Sequence, residues 1–325
     1  MVNLLPQLNI AHIKAKLPII QGGMAVRVAT ARLAAAVANE NAIGVIAGTG
    51  LSVQALQDEI RKARELTSGY LGVNVLFAAT QFAQLVIAAM KEKIDFIVSG
   101  AGFSRDVFAW GREFNKPVLS IVSSARLAKL AEKLGAAAVI VEGKEAGGHL
   151  GTDRPVLDIL PEVVGQVSIP VIAAGGIMDG YDIARALNLG ANGVQMATRF
   201  VASVECEASE NFKNLYLNSR AGDSVLIDSP VGLPGRAIRN EFTEKIKEGL
   251  IPSRECRGCL KHCTHSFCIL DALVRAVEGD VENGLVFSGE FFHRIKEVLP
   301  VKKIIAQLIS EYEEYQSKKL NLAKV

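Results

Sequence analysis

The stretch PVIAAGGIMDGYDIARALNLGANGVQMATRF, residues 170–200, shows the organisation of the chain in one unit. PVIAAGG (170–176) and GVQMATRF (193–200) are short, nearly continuous apolar runs, as expected of strands buried on both faces, and the first ends in glycines suited to a functional loop. Between them Asp179 stands where a carboxylate oxygen satisfies the first free amides of a helix. Strand, loop, helix, strand is the predicted order.

The same beat extends outward. PIIQGG (18–23), IGVIAGTG (43–50), YLGVNVLF (70–77), FIVSGAG (96–102), PVLSIVS (117–123) and AAVIVEG (137–143) bring the runs to eight, starting about 20 to 33 residues apart. Intervening segments such as SVQALQDEIRKAREL (52–66) place apolar residues at helical spacing, and Ser52, Thr80, Ser104 and Ser124 occupy N-cap positions like that of Asp179. Parallel strands need crossover helices, and eight of them close a sheet without leaving an edge. The expected fold is therefore α/β, a (β/α)8 TIM barrel, with an open doubly wound sheet as its competitor. The barrel is expected within residues 1–220. Residues 221–325 follow as a Pro- and Gly-rich loop, DSPVGLPGRAIRN, then a four-cysteine segment and a terminal helix, VKKIIAQLISEYEEYQSKK, packing back on the barrel.

Composition narrows the function. The chain has 325 residues, half of them hydrophobic, and a formal net charge of +2 with its 36 Lys and Arg scattered, so no nucleic-acid footprint appears. The N-terminus lacks the basic start and cleavage site of a signal peptide, and no apolar run reaches the roughly 18 residues of a membrane span. A cytoplasmic protein without membrane partners is expected.

Barrel active sites lie at the C-terminal strand ends, where this chain places Gln21 to Met24, Gly72-Val73-Asn74, GKEAGGHLG (143–151), Gly175-Gly176 and Gln195 to Arg199. Glycines after strands seven and eight let backbone amides approach a phosphate, or else simply allow tight turns. His149, flanked by Gly147, Gly148 and Gly151, is the candidate acid or base, whereas His12 and His293 read as ordinary surface or packing residues.

PIIQGGM, LGVN, EAGGHLG, IPVIAAGGI and GVQMATRF, in this order, resemble the nitronate monooxygenase (2-nitropropane dioxygenase) family, which includes flavin-dependent enoyl-acyl-carrier-protein reductases. SPVGLPGRAI (229–238) looks especially like the reductase branch. The resemblance implies FMN across the barrel mouth. Gly22, Gly23 and Met24 would line the ring, Asn74 and Gln195 would lie beside it, Gly147 and Gly148 would flank its edge, and Gly175, Gly176, Ala197 and Thr198 would hold its phosphate. His149 matches the histidine beside the flavin's reactive edge. Ala197 departs from the glycine usual there, and its methyl group threatens to crowd the phosphate. The flavin would carry hydride chemistry on a small-molecule or acyl-thioester substrate, with NAD(P)H or a protein as electron donor.

Cys256, Cys259, Cys263 and Cys268 are spaced by two, three and four residues, whereas zinc sites usually draw two knuckles from farther apart. The opening Cys-x-x-Cys-x-x-x-Cys resembles the cluster segment of iron-sulfur flavoenzymes, so a [4Fe-4S] cluster is the leading expectation, relaying electrons or pinning the tail. Zinc, with His262 or His265 as alternates, and free or redox-switch thiols are the other readings. An oxygen-sensitive cluster favours a reductase over an oxygen-consuming nitronate oxidation. A non-catalytic redox sensor is a rival of another class, and a homodimer through the tail is plausible. Cys206 reads as a small packing residue.

Overall fold

The computed structural model describes residues 5–251 and 256–322. A hairpin of β1 (Leu8–Ile10) and β2 (Ile13–Ala15) leads into β3 (Ile19–Gln21), β4 (Gly44–Ala47), β5 (Leu71–Leu76), β6 (Phe96–Gly100), β7 (Val118–Val122) and β8 (Ala138–Glu142). A two-residue strand, β9 (Gly148–His149), precedes β10 (Val171–Ala174) and β11 (Gly193–Met196). A second hairpin follows, β12 (Ser224–Asp228) and β13 (Pro234–Ile238). The helices are α1 (Ala31–Asn39), α2 (Val53–Leu66), α3 (Phe82–Lys91), α4 (Arg105–Glu113), α5 (Ala125–Leu134), α6 (Val156–Val164), α7 (Gly180–Asn188), α8 (Thr198–Val201), α9 (Glu210–Asn218), α10 (Glu241–Glu248), α11 (Ile269–Glu278) and α12 (Val301–Leu322).

Eight parallel strands run in the order β3-β11-β10-β8-β7-β6-β5-β4, and the parallel bridge from Ile20 to Ile43 joins the last to the first. The barrel is closed, and the open-sheet alternative is set aside. Each of the eight predicted runs supplies one of its strands.

Alternation along the strands divides two cores. Ile20, Val45, Phe96, Val98, Leu119, Ile140 and Ile172 fill the lumen, which the β1–β2 hairpin plugs from below with Leu8, Ile10 and Ile13. Residues of opposite parity, such as Val73, Val75, Val139, Val141, Val194 and Met196, face the helices. Each fully buried aliphatic side chain there contributes about 1.5–3 kcal/mol. Parity also turns Asn74, Glu142 and Gln195 inward at the upper end of the lumen, where the register aligns Glu142 with Ala174 and Ala174 with Gln195.

The predicted helix starts hold where the cap atom is engaged. Ser52, Ser124 and Asp179 accept from the amides of Ala55, Leu127 and Asp182. Ser104 holds the N-cap position of α4 without a side-chain bond. Thr80 is a correction: Gln81 is the N-cap of α3, and the Thr80 hydroxyl instead donates to the Gly258 carbonyl 2.7 Å away. DSPVGLPGRAIRN is also no loop. It contributes to the β12–β13 hairpin, whose second strand pairs with β9 through Gly235–His149 and Arg236–Gly148. The terminal helix packs on α7 as expected, with Glu311 accepting from the Gly180 amide and Tyr181 donating to Glu314.

Candidate active site

The C-terminal mouth of the barrel opens into a cavity of about 540 Å³. Gly22, Gly23, Met24, Asn74, Gly147, Gly148, His149, Gly175, Gly176, Gln195, Ala197 and Thr198 all line it. Residues scattered over 177 positions of sequence thus reach one wall because each sits at or just beyond the end of a barrel strand.

Several of these glycines are required by the protein's own packing. A Cβ on Gly23 would lie 2.5 Å from that of Asn74, and one on Gly147 would lie 2.6 Å from the Gly289 amide nitrogen. Gly175 and Gly176 take φ of +94° and +73°, which a side chain strains. The two readings of this pair are therefore compatible: the turn needs glycine, and both residues line the cavity. Ala197 has φ −119°, ordinary for an L-residue, so its amide stays usable without strain. Thr198 Oγ1 accepts from the Gly289 amide at 3.0 Å, tying this rim to the tail.

Two polar groups at the top of the lumen have no partner. Gln195 Oε1 is buried and unbonded. Glu142 also lines the cavity without a hydrogen bond or ion pair to any described residue, and burial pushes its carboxyl up to about 8. No motif marks Glu142; only counting alternate residues along AAVIVEG turns it inward. Unpaired donors and acceptors beneath a glycine-lined rim fit a planar ring rich in heteroatoms with a phosphate at one end, which is the chemistry of FMN.

His149 is held from the tail. Its Nε2 lies 2.8 Å from Ser229 Oγ, and its ring meets Phe287 edge-on at 5.2 Å. Burial lowers the imidazole to about 4, so it is neutral at physiological pH. Ser229 Oγ also accepts from the Val231 amide at 3.4 Å, and it can still pair with either tautomer of His149, donating to a bare Nε2 or accepting from a protonated one. The candidate acid or base is thus a neutral hydrogen-bonding group.

The four cysteines fall on a strap beside the β5–α3 loop. Thr80 donates its amide to the Cys259 carbonyl, Lys261 donates its amide to Ala78, and Lys261 Nζ sits 4.1 Å from the Phe77 ring centre while donating to the Phe77 carbonyl. Cys259 lines the cavity; Cys256 is exposed. Burial, then the nearby Cys268 and to a smaller extent Cys263 and Cys256, raise the Cys259 thiol, since a neighbouring thiolate disfavours a second negative charge. Among the described residues no group of three or more His, Cys, Asp or Glu side chains is arranged to hold a metal. The expected [4Fe-4S] or zinc ligand set is therefore without support in this arrangement. Cys206 is buried against the Val28 carbonyl, the packing role expected of it.

From α11 and its flanks, Leu260, Ile269, Leu270, Leu273, Val277 and Leu285 form an apolar arm of the same cavity. No motif in the sequence points this segment at the barrel mouth.

A closed parallel barrel with this rim defines a barrel enzyme for a planar, phosphorylated cofactor, and comparison with known proteins narrows the class. The nitronate monooxygenase family model matches residues 7–95 and 76–311. A probable nitronate monooxygenase of Staphylococcus aureus is 30% identical over 91% of this chain and 94% of its own. FabK from Thermotoga maritima is 35% identical with a TM-score of 0.86 over 97% of both chains. A nitroalkane oxidase from Streptomyces ansochromogenes is 26% identical with a TM-score of 0.79, over 93% of this chain and 97% of that one. The chain belongs to the nitronate monooxygenase family and is an FMN-dependent oxidoreductase. Among the described residues no helix is long and apolar enough to cross a membrane.

Proposed function

We propose that this enzyme reduces the C=C bond of an enoyl thioester with an apolar chain, using NAD(P)H as electron source. The observation that supports this reading is the apolar arm. A nitronate of two or three carbons needs only the corner beside His149, whereas Ile269, Leu270, Leu273, Val277 and Leu285 offer a surface suited to a chain. Each buried methylene gains about 0.8 kcal/mol, so such an arm selects for length. FabK, the enoyl-acyl-carrier-protein reductase of Thermotoga maritima, is similar to this chain over nearly its whole length.

In this reading Gly175, Gly176, Ala197 and Thr198 hold the FMN phosphate, while Gly22, Gly23, Met24, Asn74, Gly147, Gly148 and Gln195 surround the ring. Residues 1–220 hold the cofactor, and 221–325 form the substrate side. When bound and reduced, FMN supplies a hydride to the β-carbon of the substrate. Charge then develops on the thioester oxygen. The neutral imidazole, in the tautomer that carries its proton on Nδ1 and accepts from Ser229 at Nε2, would stabilise that charge by donating a hydrogen bond, and the α-carbon would take its proton from solvent. The strap and α11 cover the site and limit access of water.

A second reading, oxidation of alkyl nitronates with oxygen, draws on the family match and the Staphylococcus relative. There His149 would orient the anionic nitro group. Anaerobic stopped-flow separates the two. Flavin reduced by NAD(P)H and reoxidised by a crotonyl thioester supports the reductase; reoxidation by oxygen alone, with nitronate turnover, overturns it.

A further inference from the structure

We propose that Cys259 and Cys268 form a dithiol that low-molecular-weight disulfides oxidise to an internal disulfide, and that this bridge governs entry to the apolar arm of the cavity. The oxidation is independent of the substrate, whereas its effect on turnover rests on the enoyl-thioester reading.

The four thiols of the strap offer several pairings, and the geometry separates them. Cys256 Sγ accepts from the Gly258 amide and Cys263 Sγ from the His265 amide, each at 3.4 Å, so both sulfurs fold back on their own loops. Cys259 and Cys268 remain, and two contacts bring their segments together. Arg257 pairs with Asp271 at 2.7 Å, which lays the strap along the first turn of α11, and Cys268 is the N-cap of that helix. Cys259 also packs against the apolar cluster that holds Phe267 and Ile269, the residues on either side of Cys268. Burial and then Cys268, ahead of the other two thiols, raise the Cys259 thiol, in keeping with this placement. Both members of the pair are half-buried, within reach of a small reagent.

The pair stands at a joint of the cavity wall. Cys259 and Leu260 line the cavity on one side of it, and Ile269, Leu270 and Leu273 line it on the other. Backbone bonds fasten the strap to the barrel, from Thr80 to Gly258 and Cys259 and through the Ala79–Leu260 bridge. Its tie to α11 is the Arg257–Asp271 pair, whose arginine is 60% exposed, and a pair so exposed holds weakly. A disulfide there closes a loop over residues 260–267 and fixes the two lips of the arm against each other. A chain entering the arm passes between these lips, so the bridge shuts out long substrates and spares short ones that stop beside His149. The bridge forms by exchange. One protein thiolate attacks the small disulfide and displaces one small thiol; the second attacks the protein sulfur of the mixed disulfide and displaces the other. The protein gives up two electrons and two protons, and the small disulfide takes up both and leaves as two thiols.

The test is a thiol count on the full chain loaded with FMN. The protein is equilibrated with oxidised glutathione, quenched in acid, denatured and alkylated with N-ethylmaleimide, and the adducts are counted by intact mass. Of its five cysteines the reduced protein should show all as adducts, and the oxidised protein two fewer with no glutathione attached. Cys256→Ser and Cys263→Ser should each still lose two adducts on oxidation, while Cys259→Ser and Cys268→Ser should form no bridge. Loss of the bridge in Cys256→Ser or Cys263→Ser, or a wild type that keeps every thiol or carries only mixed disulfides, overturns the proposal. Should a serine variant fail to fold, tryptic mapping of the wild type reads the same pair: Cys259 linked to peptide 262–275 with Cys263 alkylated supports the assignment, and any other linkage refutes it. In the bridged enzyme KM for an eight-carbon enoyl thioester should rise about tenfold, as for two methylenes kept out of the arm, with KM for the crotonyl thioester within about twofold. Dithiothreitol should reverse the rise, and Cys268→Ser should not show it. A fully bridged enzyme with unchanged KM overturns the control of entry. A protein that forms the bridge but reduces no enoyl thioester keeps the dithiol and removes the reductase reading, which distinguishes the two failures.

Discussion

The barrel rim and the strap above it enclose one cavity, but they are built on different terms. On the rim, Gly23, Gly147, Gly175 and Gly176 are fixed by sterics and backbone angle, and the wall they present to the cavity is main chain. On the strap, α11 and its flanks line the cavity with Leu270, Leu273 and Val277, side chains that others of similar size can replace. One wall tolerates almost no change and the other is adjustable. A cofactor common to a family and a substrate that differs between its members suit such a division.

His149 belongs to both walls, and its removal should have the largest effect. The barrel supplies it on β9, and the tail orients it through Ser229 and Phe287. His149→Ala is expected to lower kcat about 100- to 1000-fold, the loss typical of one donor to a developing charge. FMN content should be unchanged, as checked by the visible spectrum. Because the imidazole is held near 4, kcat should show no histidine limb between about pH 5.5 and 7.5; a limb near 6.5 would make His149 a proton donor instead. The stability sign follows. A histidine whose folded value lies below its unfolded value contributes stability present above about 6.5 and lost as pH falls toward 4. Thermal melts of wild type and His149→Ala should therefore converge in acid.

Gly147→Val tests the intolerant wall. Its Cβ would meet the backbone at Ser288 and Gly289, which cannot rotate aside. Overpacking of this kind costs about 1–3 kcal/mol. If the displaced backbone carries the rim with it, FMN affinity falls by up to about 100-fold, measured by fluorescence titration. Normal FMN affinity with a lowered melting temperature would show that this glycine serves packing only.

The two walls also differ in how far the sequence discloses them. Six of the twelve rim positions are legible as Gly-Gly pairs after apolar runs at a regular spacing, because backbone demands write themselves locally; Met24, Asn74, His149, Gln195, Ala197 and Thr198 are legible by their place at strand ends and by the family resemblance. Glu142 is not, since its only signal is parity within a strand whose inner face must first be known. The hairpin that grips His149 is hidden for another reason: SPVGLPGRAI has the prolines and glycines of a loop, and its pairing partner Gly148–His149 lies some 86 residues away. The cysteine segment misleads by composition. Four thiols suggest a ligand set, while the visible role of the strap comes from backbone bonds at Cys259 and Lys261 and from apolar neighbours that have no motif.

The adjustable wall predicts a length dependence. Across enoyl thioesters of four to eight carbons, kcat/KM should rise by up to about tenfold per two-carbon step, since two buried methylenes gain about 1.6 kcal/mol. Leu273→Asp, which places a charge on the arm, should flatten that slope while leaving the crotonyl rate within about threefold. Equal rates for all lengths, with Leu273→Asp silent, would detach the arm from the substrate and return the weight to a small nitronate.

The smallest effect concerns how the strap is fastened. Lys261 bonds the Phe77 carbonyl and lies over the Phe77 and Phe82 rings, with its ammonium only partly withdrawn from water. A cation over a ring at such a site gives about 0.5–1 kcal/mol, and Lys261→Met retains the stem that covers the rings while deleting the charge. The strap has further anchors in the Ala79–Leu260 bridge and the Thr80 bonds to Gly258 and Cys259, so it should loosen without detaching. KM for an eight-carbon substrate should then rise about three- to fivefold, with KM for the crotonyl thioester and FMN affinity unaltered. A uniform rise for both chain lengths would mean that the strap steadies the whole mouth of the barrel, and the two walls would then respond as one.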